Sequence, residues 1–405
     1  MLCQFRDVAQ QTQSADFFRR YFTRDGVGTG GAFDYWNDLS YGSFANNSEV
    51  FGWFQIPHDS KEILGLSRSV YKQWGFDAAQ ANQVNLTPFP RRIFFFNGNG
   101  DHGDCGGGTS VFAYAPGRSL EPTFMMHEMG HNLGFSHSFS DSPTGCCNSA
   151  TPGEYCDQWD IMSAMCVFRF QGAFGTSGPG FNVPNLLTFW WLDNQRVWTN
   201  LSNSEVVELA PINRSDLQHF LAARLDYVDA ASGQPGTYTV EYRVPDQWDR
   251  GLPYAAVLIH RIANGRSILV GSGRQNRPNL DWKVGDQFLD SVNDLSISVE
   301  GIDASSLIAT VRVARWLPQQ ILGDRATRDA PALAEHDGRL YMAWRGLGED
   351  NIWVSNFTEG SGWSPQQILG DRATRDAPAL AEHDGRLYMA WRGLGEDNVW
   401  YSHRQ

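Results

Sequence analysis

Apolar residues change their spacing along this chain, and each spacing predicts a different kind of element. In "DFFRRYFTR" (16–24) and through 63–83 they recur at helical intervals. "VFGWFQI" (50–56), "RRIFFFNG" (91–98) and "TSVFAYAPG" (109–117) read as strands, the second closed by an Asn-Gly-Asn-Gly turn. Between 196 and 315 the pattern is strand-like throughout, in "TYTVEYRV" (237–244), "AAVLIHRI" (255–262), "LSISVEGI" (295–302) and "LIATVRVA" (307–314), which predicts a small β-sandwich. The segment "PQQILGDRATRDAPALAEHDGRLYMAWRGLGEDN" occupies 318–351 and returns letter for letter at 365–398, a period of 47. Each copy holds a hairpin, "EHDGRLYMAWRG", with Asp-Gly at its tip. Three or four short strands in a repeat of this length predict a propeller blade. Two blades cannot close a ring alone. Three regions follow: a mixed α+β region at 1–195, a sandwich at 196–315 and a pair of blade-like repeats at 316–405.

Composition narrows the function classes. The 405 residues carry a formal net charge of -13, with no basic run suited to tracking phosphates, so nucleic acid is excluded as an expected partner. No stretch reaches the ~18 apolar residues that a membrane-spanning helix needs. The start, "MLCQFRD", has neither the basic segment nor the apolar run of a signal peptide, which taken literally means cytosolic. The cysteines argue otherwise. Four of the six fall between Cys146 and Cys166 without the paired spacing of a structural zinc site, which suits disulfides, although six cysteines allow fifteen pairings. Sequons at Asn46, Asn85, Asn200, Asn213 and Asn356 carry little weight. The expectation is a secreted protein whose signal and pro-segments are missing from this sequence.

The chemistry concentrates in "MMHEMGHNLGFSHS" (125–138). His127 and His131 stand four apart, on one face of a helix and one turn from each other, so two imidazoles can reach one ion. Glu128 lies beside the first ligand, placed to hydrogen-bond a metal-bound water as general base. Gly134 can take φ > 0 and end the helix sharply, bringing His137 back as the third ligand. Three neutral nitrogens and a water make the open tetrahedral site expected of catalytic zinc. His58, His102 and His260 stand alone and are given no role. In "NGNGDHGDCGGG", Asp101 and Asp104 are candidate ligands for a structural calcium, against the plainer reading of a solvated Gly-rich turn.

His127, Glu128, His131, Gly134 and His137 together resemble the metzincin zinc-binding signature. "QWDIMSAM" (158–165) is similar to the Met-turn of that group, with Met162 as the methionine beneath the metal. The wording "HEMGHNLGFSHS…WDIMS", with "CQFRD…YWNDLSYGSF…VFGWFQIP" before it and "FNVPNLLTFWWLD" after, most resembles the gametolysin-like metallopeptidases over roughly 1–195. The resemblance implies a twisted mixed sheet with an active-site helix, and a secreted zinc endopeptidase acting on extracellular or cell-wall proteins. It also implies that the strand at 109–114 is the edge that binds an extended substrate, and that 172–189 shapes the pocket wall. An astacin-type metal-binding tyrosine two residues after Met162 is missing, since position 164 is Ala. In the repeats, Trp316, Trp344 and Trp353, then Trp363, Trp391 and Trp400, with Arg345 and Arg392, are similar to lectin-like blades and raise glycans as partners of 316–405. The competing expectation is a carbohydrate-binding or adhesive protein with a degenerate protease module; the intact Glu128 and three histidines favour the peptidase.

Overall fold

The computed structural model describes every residue except 45–46, 200–203, 231, 272–278, 316–320, 359 and 405. The sequons at Asn46 and Asn200 and the tryptophan Trp316 therefore lie outside the described residues. The chain forms two compact units, Met1–Leu317 and Pro318–Gln405.

The first unit opens with a five-stranded sheet of β1 (Leu2–Phe5), β2 (Phe54–Ile56), β3 (Arg92–Phe96), β4 (Gly103–Asp104) and β5 (Thr109–Ala113), ordered β2-β1-β3-β5-β4. β4 alone runs antiparallel to its neighbour. Five α-helices accompany it among the described residues: α1 (Ala15–Phe22), α2 (Ala32–Leu39), α3 (Arg68–Ala81), α4 (Pro122–Leu133) and α5 (Val183–Thr188). Successive strand residues face opposite sides. Phe95 of β3 thus joins Phe18 of α1, Trp36 of α2 and Met125 of α4 in one core, while Phe94 and Phe96 pack with Tyr71 of α3 in another. Both faces are covered, which is why the strand reads as an unbroken apolar run.

Three details differ from the pattern-based expectation. The helix expected over 63–83 begins at Arg68, after a short 3-10 turn at Ser60–Ile63 whose Asp59 and Glu62 form a capping box. The strand expected over 50–56 is regular only at Phe54–Ile56. The strand β5 is not the sheet edge: Gly103–Asp104 of the Gly-rich loop returns antiparallel to it, pairing Gly103 with Val111 and Asp104 with Ser110. A loop that doubles back over a strand leaves no period in the sequence to reveal it.

Two further sheets pack face to face in the same unit. One has the order Phe139–Ser140, Arg266–Leu269, Ala256–Ala263, Pro235–Arg243, Ala222–Val228, Val197–Trp198; the other Glu205–Leu209, Ile308–Arg315, Leu295–Asp303, Gln287–Asp290. Val240, Tyr242, Val257 and Ile259 of the first meet Val207, Ile297, Val299 and Val311 of the second in one core. The opposite face of the first sheet is covered too. There Ala256, Leu258 and Leu269 surround Trp159, while Leu221 and Ala222 join the core of α2 and α4.

In the second unit each repeat builds the expected hairpin, Ala332–His336 with Arg339–Arg345 and Ala379–His383 with Arg386–Arg392. Asp337 and Gly338 take φ 49 and 67, and Asp384 and Gly385 take 49 and 69, the positive pair that a tight hairpin turn requires. Trp344 and Trp391 are buried at 2% and 9% exposure, and the guanidinium groups of Arg325 and Arg372 lie over them. These central tryptophans are buried beneath arginines and offer no open stacking face.

Candidate metal centre

α4 starts on Pro122, whose missing N–H costs nothing in a first helical turn. It stops at Gly134, which takes φ 108 while its N–H bonds back to Gly130 and His131 carbonyls. The chain then turns beneath the helix end and presents His137.

Donor nitrogens of His127, His131 and His137 all lie within 4.8 Å of one another, a group that could hold a metal ion. Their outer nitrogens are each engaged. His127 Nδ1 lies 3.1 Å from the Ile161 carbonyl, His131 Nδ1 2.8 Å from the Phe135 carbonyl, and His137 Nδ1 2.8 Å from Glu154 Oε1. For His131 and His137 the oxygen partner assigns the proton to Nδ1 and leaves the Nε2 lone pair for a metal, whereas His127 Nδ1 also faces the Ala164 N–H at 3.2 Å. The Nε2 atoms of His127 and His131 face each other at 3.1 Å. Two nitrogens on one tetrahedral zinc stand about 3.3 Å apart, taking Zn–N of ~2.05 Å, so the donor set fits such an ion. Burial pushes the His127 pKa down to about 3 and that of His131 below its ordinary value, which keeps both imidazoles neutral.

Glu128 follows His127 on the helix and reaches β4, close enough to Tyr155 for its charge to act on that hydroxyl. Its Oε2 accepts the Asp104 N–H at 2.6 Å, and the residue is 7% exposed. Burial raises its pKa to about 7, against the downward pull of that N–H and of Arg68. A carboxyl poised there can take up and release a proton near neutral pH.

Met162 is fully buried in a short turn, Ile161–Ser163, beneath α4. Its sulfur sits so close to Gly130 that a Cβ on that residue would lie 2.5 Å away, so a larger residue there would push the methionine tip aside. The turn is pinned by Asp160, whose Oδ1 accepts the Met162 N–H at 2.7 Å and the Ser138 hydroxyl at 2.8 Å. The Ser138 N–H in turn donates to the Met162 carbonyl at 3.1 Å. Residue 138, next to the third histidine, is thereby locked to the methionine turn.

Below lies a wholly buried ionic network. Arg243 donates to both oxygens of Asp249 at 2.8 and 2.6 Å and to Glu241 at 3.1 Å. His260 Nε2 lies 3.0 Å from Asp157, and Asn182 bridges Asp157, Asp160 and Ser267. Burial works against the charge on Arg243 and His260, but the surrounding carboxylates outweigh it and raise both pKa values. His260, to which sequence reasoning gave no role, is a structural residue of this network.

Two residues near the histidines escaped the sequence. Tyr155, at φ 61, places its hydroxyl 3.0 Å from His137 Nε2, on the side where the nitrogens converge. Burial raises its pKa to about 12, so the hydroxyl is protonated. Glu154, its neighbour, holds His137 from behind and also accepts from Ser149. Both lie in a loop stapled by Cys146–Cys156 and Cys147–Cys166. The remaining cysteines, Cys3 and Cys105, are free thiols. The one available signal was a Glu-Tyr pair immediately before a clustered cysteine. Asp101, proposed from sequence as a calcium ligand, pairs with Arg68 at 3.0 Å, and Asp104 Oδ2 accepts the Gly106 N–H at 3.0 Å. Among the described residues the three histidines are the group placed to hold a metal, and neither aspartate belongs to it.

No helix among the described residues is long and apolar enough to cross a membrane. In comparison with known proteins, no protein-family model matches the chain, and neither does any curated protein.

Proposed function

We propose that the protein is a secreted zinc-dependent endopeptidase of metzincin type, similar to the gametolysin-like peptidases, that hydrolyses peptide bonds of extracellular or cell-wall proteins. The observation that carries this reading is the approach of three histidine donor nitrogens to within 4.8 Å of one another, with Glu128 on the same helix and Met162 beneath it. His127, His131 and His137 would hold a zinc ion, which when bound would supply Lewis acidity and lower the pKa of a coordinated water toward about 7. Glu128 accepts the proton of the attacking water and delivers it to the departing amine, a transfer that suits a carboxyl of near-neutral pKa. Tyr155 offers its O–H as a hydrogen-bond donor beside His137, where negative charge develops on a carbonyl oxygen under attack. The two disulfides support an oxidising, extracellular setting.

Metal analysis joined to a peptide-library digest of the parent and Glu128→Gln tests the proposal. The expectation is one zinc per chain in both proteins and a roughly 10²–10⁴-fold fall in hydrolysis for the variant. A variant that cleaves at the parent's rate, or a parent that retains no metal, sinks it.

A further inference from the structure

The two repeats are identical in letters but not in neighbours. In the first, the strand Asn351–Thr358 pairs with Arg339–Arg345 on one side. On its other side it is covered by Gln367–Ala373, which belongs to the second repeat. The register sets Ile352 opposite Leu369 and Trp353 opposite Ile368. In the second repeat the corresponding strand, Val399–Arg404, pairs among the described residues only with Arg386–Arg392, which leaves its other edge open there. Burial records the difference. Ile352 is 0% exposed, whereas Val399 at the matching position is 77% exposed, and Trp400 and Tyr401 beside it are 51% and 71%.

The sequence that covers this edge in the first repeat also exists upstream. Residues 321–326, Ile-Leu-Gly-Asp-Arg-Ala, are identical to 368–373. Among the described residues 321–326 join no strand, and Ile321 is 93% exposed. Their arginine is already placed as in the paired copy: Arg325 reaches Ser355 at 3.1 Å, as Arg372 reaches Ser402 at 3.1 Å. Thus the segment is docked on its own blade by its side chain while its backbone lacks the neighbour that Gln367–Ala373 has. One end of the unit carries a strand without an edge, and the other an edge without a strand.

We infer that copies of this chain associate head to tail, with residues 321–326 of one copy adding to the open edge at Val399–Tyr401 of the next. The interface is a continuation of one already present within the chain, Gln367–Ala373 on Asn351–Thr358. By the repeat offset, Leu322 falls opposite Val399 and Ile321 opposite Trp400. Exposed strand edges are templates for such addition, and the joint is heterologous, so successive copies build a closed ring or an open filament.

Sedimentation velocity of the full chain over a concentration series tests this together with two kinds of variant. The parent should grow beyond the monomer with concentration. Ile321→Pro should weaken association by tenfold or more without unfolding the monomer, since Ile321 is solvent-exposed and in no strand. Leu322→Cys mixed with Val399→Cys, each carrying Cys105→Ser, should form a mixed-disulfide dimer that neither forms alone. The inference is overturned by a parent that stays monomeric throughout, by association that Ile321→Pro leaves intact, or by a Leu322→Cys/Val399→Cys double variant that cross-links within a single chain. None of these readouts depends on metal or on peptide hydrolysis, so they stand apart from the proposed activity.

Discussion

Two polar clusters flank Met162, one wholly buried and one partly exposed, and they differ in what their hydrogen bonds leave over. In the network beneath the turn, Asp160 accepts four donors, Asp249 takes two from Arg243 and one from Gly180, and Glu241 is met by Arg243 and by the Val183 N–H. One ring nitrogen, His260 Nδ1, is left without a bond, 3.8 Å from Glu241. Charge there is closed on itself. Above the turn, the outer nitrogens of the three histidines meet backbone and carboxylate oxygens, with the Ala164 N–H added at His127, and one nitrogen of each lies within 4.8 Å of the others. Both clusters are histidine- and carboxylate-bearing, but the lower one is wholly buried and complete without a ligand, whereas the upper one is partly exposed and could hold a metal ion. Composition alone does not separate a structural site from a binding site; the direction of the leftover lone pairs does.

Breaking the closed cluster should give the largest effect. Arg243→Ala strands Asp249 and Glu241 as buried charges, and unfolding by urea should show a loss of about 3–5 kcal/mol, with or without a chelator. The open cluster should respond in the opposite manner. Glu154→Ala removes the carboxylate behind His137, and zinc affinity measured by competition with a chelating dye should fall roughly 10–100-fold. Its stability in chelator should fall far less than that of Arg243→Ala, because Glu154 is partly exposed and lies in a loop that the two disulfides hold.

The pH dependence of metal-free protein sharpens the contrast further. Glu128 holds its proton in the fold up to about pH 7, whereas the unfolded chain releases it near 4.5. The fold therefore loses stability as pH rises through that window and no more above it. Glu128→Gln lacks this loss, so its stability relative to the parent should climb by about 1–3 kcal/mol between those values. His127 acts with the reverse sign: it stays neutral to about pH 3 against an ordinary 6.5, so its contribution is lost as pH falls through that range. Smallest is Tyr155→Phe, which deletes one hydroxyl beside His137. Zinc affinity should change less than tenfold, the worth of about 1 kcal/mol for a single hydrogen bond, while hydrolysis falls further than affinity.

What the sequence made legible was local. His127, Glu128, His131, Gly134 and His137 occupy eleven positions, so helical pitch and one glycine turn are enough to bring them together. The strands with apolar runs were legible for the same reason, as was the hairpin with Asp-Gly at its tip. The rest depends on partners far apart in sequence. Glu154 and Tyr155 reach His137 only because two disulfides fold their loop back. His260 meets Asp157 across 103 positions, and no periodicity encodes that meeting. β4 covers β5 because a Gly-rich loop reverses, so the strand that the family resemblance implied as an exposed edge is an inner one. Identical repeats mark the limit most plainly, since the same letters are paired in one copy and bare in the other.

The strand Phe139–Ser140 begins two residues after the third histidine and is hydrogen-bonded to Arg266–Leu269. A gene fragment ending near 195 would encode every proposed ligand, the glutamate and the methionine. It would still leave this strand without its neighbour, and Asp157 without His260. Anyone transplanting the site into another protein, or recombining it with a foreign partner, must carry the chain to the end of Ile308–Arg315. The portable piece is set by a shared sheet, and it is half as long again as the motif-bearing region suggests.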